Sequence, residues 1–155
     1  MAVKISGLKP TVTCPAHLHL PDDGGTFYVH KFEVVFKRLP TERRDELNEL
    51  YSVGKRTETL VAGATEPKVE IKRISTDELL DEVVDGWGLM LDEHGAPVPY
   101  SHAERRATEL VYAGLGQAMA VAWYDTFFVH QREAAQKNSK AQSGTTSAET
   151  TRTAT

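Results

Sequence analysis

The chain has 155 residues, 18 Lys and Arg against 22 Asp and Glu, a formal net charge of -4 and one cysteine. One cysteine excludes an internal disulfide framework or a multi-cysteine zinc site, so a reducing compartment is the expectation. The acidic balance argues against general nucleic-acid binding, which needs surplus Lys and Arg for the phosphates. No apolar run approaches the ~18 residues of a membrane span, and the opening MAVKISGLKP lacks the apolar centre of a signal peptide.

The first periodic stretch runs from Leu18 to Leu39. Pro21-Asp22-Asp23-Gly24-Gly25 is a turn signal, because Gly supplies positive φ and Asp caps turns through its side chain. After it, Phe32, Val34 and Phe36 alternate with polar neighbours and predict a strand with those three facing a core. Val12–Leu20 is the antiparallel partner, and Pro15 confines it to an edge or a bulge. The unit is a β-hairpin over about residues 12–38. Thr41 reads as the N-cap of a helix over 41–53, with Leu47, Leu50 and Tyr51 at helical spacing and Gly54 at its end. Residues 55–66 are polar and carry no clear period. Lys68–Lys72 alternates, as a short strand or a loop.

Ser75-Thr76-Asp77-Glu78 fits a capping box, with Ile74 and Leu79 placed for a hydrophobic staple. A helix over 75–87 then carries Leu79, Leu80, Val83, Val84 and Trp87 as one stripe. Asp92-Glu93-His94-Gly95 reads as a turn between a short apolar arm and a return containing Pro97 and Pro99. Ser101-His102-Ala103-Glu104 is a second capping box, opening a helix over 101–114 with Ala103, Ala107, Leu110, Val111 and Gly114 on one face. Gly114-Leu115-Gly116 breaks it. The last helix, 117–131, is apolar over more than half its circumference, which means either a surrounded helix or one awaiting a partner. From Ala134 to the end nine of 22 residues are Ser or Thr and none is a large apolar residue, so a disordered tail is expected. The expectation is α+β: an N-terminal β-hairpin or small antiparallel sheet, then a mostly helical bundle in a single domain over 1–133, then the tail.

Chemistry is sparse. His17 and His19 share a strand face and could reach one metal ion, but no Asp, Glu or Cys follows at ligand spacing, and two solvated histidines on an edge strand are the commoner case. Cys14 has no cue for thiolate activation. Asp92-Glu93-His94 is explained by its turn, and no phosphate-binding or zinc-protease motif is present. No catalytic residue, metal site or cofactor is expected. Trp87 and Trp123 read either as core anchors or, for Trp123 with Phe127, Phe128 and Met119, as a surface for self-association or client binding. The strand face bearing Lys31 and Lys37 is a second candidate surface.

The order of these blocks resembles a family. Leu18-His19-Leu20-Pro21-Asp22-Asp23-Gly24-Gly25 followed by Phe32-Glu33-Val34-Val35-Phe36-Lys37-Arg38-Leu39 is similar to the opening of the tail assembly chaperones of long-tailed bacteriophages. Leu79-Leu80-Asp81-Glu82-Val83-Val84-Asp85-Gly86-Trp87, then Asp92 to Ser101, resembles their second block, and the likeness covers about residues 12–130. Residues 55–66 depart from the pattern. The resemblance implies a non-enzymatic factor in the host cell cytoplasm. It would bind and solubilise the tape measure protein, help recruit the tail tube protein, self-associate, and be absent from the mature virion. It also implies a possible longer form made by frameshifting. A structural tail component, such as a tube or terminator subunit, is the alternative; a metal-dependent enzyme using His17 and His19 is the third reading.

Overall fold

The computed structural model describes residues 7–143, and the side chains of residues 7–140. It divides into two compact units, Met1–Trp123 and Tyr124–Thr155. The fold class is α+β, with the sheet first and the helices after it.

In the first unit, β1 (Thr11–Pro21) and β2 (Phe27–Lys37) form an antiparallel hairpin in unbroken register from Thr11 opposite Lys37 to Pro21 opposite Phe27. Its turn is the one the sequence predicts. Asp22 caps a short 3-10 turn by accepting from the Asp23 N–H at 2.8 Å, and Gly24 sits at φ +77°, a conformation costly for any residue with a Cβ. The alternation holds as well. Cys14, Ala16 and Leu18 of β1 and Phe32, Val34 and Phe36 of β2 are buried. β1 is an edge strand, the place where Pro15 is tolerated.

Helix α1 (Thr41–Ser52) buries Leu47 and Leu50. Its N-cap is Pro40, without a side-chain cap bond, so Thr41 is the first helical residue and not the expected cap. The fixed φ of Pro40 and Glu42 in the first turn start the helix instead. Gly54 closes it at φ +84°, its N–H donating to the Glu49 carbonyl at 2.8 Å. The polar stretch after it is structured: β3 (Lys55–Thr59) pairs antiparallel with β4 (Lys68–Lys72), and all ten residues are exposed. A two-stranded ribbon with no buried face leaves no apolar alternation in β3 for sequence reading to find.

Helix α2 (Thr76–Val83) has the predicted capping box. The Glu78 N–H donates to Ser75 Oγ at 3.2 Å, and the Ser75 N–H donates to Glu78 Oε2 at 2.7 Å. The helix does not run to residue 87. Val84–Gly88 is instead β5, the third strand of the sheet, antiparallel to β2 with a bulge where Val35 meets Gly86 and Phe36 meets Val84. The sequence favours this exit. Gly86 and Gly88 are poor helix residues, and a Cβ on Gly88 would come within 3.0 Å of Glu33 Oε2 across the strands. Leu79, Leu80 and Val83 are therefore buried from a helix, while Val84 is buried from a strand.

The arm after β5 turns back through the predicted turn. Asp92 Oδ1 accepts from the His94 and Ala96 N–H groups at 2.9 Å each, and Leu91 bridges Pro97. Trp87 fixes the return arm, donating Nε1–H to the Val98 carbonyl at 2.8 Å and meeting Tyr100 edge-on at 5.1 Å. Helix α3 (His102–Val111) starts at Ser101, whose Oγ accepts from the Glu104 N–H at 3.0 Å. The return bond from Glu104 that would complete a second capping box is not made among the described residues. After Gly114 at φ +92°, α4 (Leu115–Tyr124) buries Leu115, Met119, Ala120, Ala122 and Trp123.

In the second unit a π-helical segment, Asp125–Val129, leads into α5 (His130–Ser143). The expected 117–131 helix is thus two α-helices joined by a π turn. Helix also continues ten residues past the point where the tail was expected to begin. Residues 144–155 of that tail lie outside the described residues.

Candidate functional site

Helix α3 is mounted with its polar side inward. Spaced at 100° per residue, Ala103, Ala107 and Leu110 lie directly opposite Arg105. Arg105 is 0% exposed, whereas Leu110 is 90% and Val111 74% exposed, with Ala103 and Ala107 also in solvent. The apolar stripe that the sequence places on one face of this helix is its outer face.

Charge chemistry on α2 explains the inversion. Asp77 and Asp81 stand four residues apart on one side of α2, away from its buried leucines. Arg105 donates from Nη1 to Asp77 Oδ1 at 2.7 Å and from Nη2 to Asp81 Oδ1 at 2.8 Å, with Glu109 Oε2 3.6 Å from Nη1. Arg106 also donates to Asp81, His102 Nδ1 stands 3.5 Å from it, and the Tyr100 hydroxyl lies 3.0 Å from His102 Nδ1. Burial works against the Arg105 charge, but hydrogen bonding to Asp77, Asp81 and Tyr100 holds its pKa above the ordinary arginine value. Burial also raises the Tyr100 pKa, against the lowering effect of the adjacent Arg105. Turning α3 over would bury Leu110 but bring Arg105 out of this cluster and leave the two aspartates without it. A second clamp joins α1 to α2: Arg43 donates to both Glu82 oxygens, at 2.6 and 2.8 Å, and to Glu46 at 3.0 Å. Arg43 makes these bonds while its side chain stays 41% exposed, so the clamp lies at the surface.

A groove opens near the end of α3. It is a cavity of about 310 Å³ lined by Leu18 and Leu20 of β1, His30, Lys31 and Phe32 of β2, the arm residues Leu89, Met90 and Leu91, and Tyr112. The hairpin is longer than the core beneath it. Leu18 and Phe32 are buried, but Leu20 is only half-buried and His30 is exposed. Leu89, at φ +62°, follows immediately after β5 ends.

The residues singled out from the sequence fare differently. Met119 and Trp123 are buried on α4, Trp123 at 1% exposure, and Phe127 is buried on the π-helical segment, so none of the three side chains lies open on the surface. Most large apolar residues of α4 are covered, with Val121 and Tyr124 exposed. Phe128 is half-buried and stacks on Tyr124 at 5.4 Å. Lys31 is exposed and lines the groove; Lys37 is half-buried at the far end of β2, opposite Thr11. His17 and His19 are exposed on the outer sheet face, opposite Lys31 and Val29. Among the described residues no three His, Cys, Asp or Glu side chains converge as a metal site, and no helix is long and apolar enough to cross a membrane.

Sequence reading passed over Arg105 and left the direction of the α3 stripe open. The available signal was Asp77 and Asp81 at i, i+4, which left α2 with an acidic side needing a cation. Compared with protein-family models, curated proteins and solved structures, the chain matches none.

Proposed function

We propose that the chain is a non-enzymatic binding factor: a tail assembly chaperone of a long-tailed bacteriophage. It holds the tape measure protein soluble in the host cytoplasm and helps to recruit tail tube subunits. The sequence blocks over residues 12–130 support the family, and the outward stripe of α3 supports the binding role. That stripe is the observation on which the reading rests. Burying a leucine or valine side chain is worth about 1.5–3 kcal/mol, so Leu110 and Val111 forgo that gain until a partner covers them. Small Ala103 and Ala107 beside them allow close approach of an apolar helix.

Co-expression with the tape measure protein tests the reading. The wild-type chain should copurify with a soluble client, while a Leu110→Asp/Val111→Asp variant should leave the client in the insoluble fraction. Undiminished recovery by that variant, with its fold intact by circular dichroism, would sink the proposal. Mass spectrometry of purified particles separates it from a structural tail component, which would be found there.

A further inference from the structure

β5 pairs with only part of β2. Its partners run from Glu33 to Phe36, and among the described residues no strand lies beyond it alongside Phe27–Phe32. β5 ends at Gly88, Leu89 follows at φ +62°, and Leu89, Met90 and Leu91 line one groove together with His30, Lys31 and Phe32 of β2. Two features therefore adjoin: a length of strand edge with no strand paired on that side among the described residues, and a cavity under the same strand. The residues lining the cavity include His30 and Lys31 but no carboxylate. Glu33, next along the outer face, leans over Gly88, close to where a Cβ would stand.

We infer that this vacant lane beside β2 is a docking site for an extended segment of a partner protein, alternating apolar and acidic residues, which adds as a strand next to Val29–Lys31. Strand addition fits because exposed edge groups supply main-chain bonds while alternate side chains choose opposite faces. Inward side chains of the added segment enter the cavity over Leu18, Leu20 and Tyr112. Outward ones lie beside Lys31, which faces His17 across the hairpin, so carboxylates suit those positions. A helix, about 10 Å across with its side chains, does not fit a cavity of about 310 Å³. The site is separate from the α3 stripe and stands whether or not the tape measure protein is the client.

The test uses the full chain, labelled with nitrogen-15, and a synthetic capped peptide, Asp-Val-Glu-Leu-Glu-Val-Asp. Binding should shift the amide resonances of residues 28–32 and slow their hydrogen exchange. Lys31→Glu should weaken binding about fivefold, the upper range for a cross-strand charge pair, and a peptide with Lys in place of Glu should restore it. Methylating alternate peptide nitrogens should abolish binding, because it removes edge hydrogen bonds and keeps the side chains. The inference is overturned by no shift at millimolar peptide, by equal binding of the methylated peptide, by better binding of a helical peptide of the same composition, or by shifts in residues 28–32 that depend only on protein concentration, which would mark a second copy as the occupant.

Discussion

Arg105 is wholly enclosed, yet the carboxylates that hold its charge are half in water, Asp77 at 51% and Asp81 at 35% exposure. That asymmetry sets the expected mutational pattern. Arg105→Ala leaves a cavity and removes the partner of two carboxylates and should cost about 3 kcal/mol in urea unfolding; Arg105→Met fills the volume and should recover part of it, because the aspartates can rehydrate. Asp81→Ala should cost more than Asp77→Ala, since Asp81 also accepts from Arg106 and faces His102. Tyr100 gives the same cluster a pH dependence. Its folded pKa is raised by burial, so its contribution is complete below the ordinary tyrosine value near 10 and is lost as pH rises through the folded value. Stability measured from neutral pH upward should fall less steeply in Tyr100→Phe than in the wild type. An equal alkaline slope in the two proteins would refute this.

At the level of elements, Gly54 and Ser75 show how unequal two helix ends can be. A Cβ on Gly54 would stand 2.7 Å from both Arg73 Cγ and Ile71 Cγ2, at a positive φ that L-residues disfavour. Gly54→Ala should therefore cost about 2 kcal/mol or more, against about 1 kcal/mol for loss of the Ser75 cap in Ser75→Ala. Thermal unfolding of the two variants checks the order. The elements the sequence reveals are those whose signal is local. The hairpin follows from two-residue alternation with a Gly-Gly turn, and the start of α2 from four residues that satisfy each other's backbone. Val84–Gly88 was not legible as a strand. Its apolar residues continue the stripe of α2, and what makes it a strand is β2, some fifty residues earlier in the chain. α3 is where the sequence places it, but its facing was not legible, for a related reason: an apolar stripe does not say whether it faces a core or a partner. That is decided by Asp77 and Asp81 on another helix.

For the molecule as a whole, the two arginine clamps and the outward stripe mean that stability and binding should separate cleanly. Leu110→Asp and Val111→Asp lie in solvent and should change unfolding free energy by no more than about 0.5 kcal/mol. The same changes should reduce any concentration-dependent association seen by analytical ultracentrifugation, with or without client. A large loss of stability would show that α3 packs its apolar side inward in solution. For Trp123 the sequence left two readings, core anchor or contact face, because hydrophobicity alone does not distinguish the middle of a body from its surface. Cys14 gives the molecule a clock. It is the chain's only thiol, it points inward from an edge strand, and only 4% of its surface is reachable. A thiol reagent can reach it fully only when β1 lifts, so the rate of modification counts those openings one molecule at a time. A bound strand on the other side of β2 would stiffen the sheet and slow that clock, without touching the sulfur.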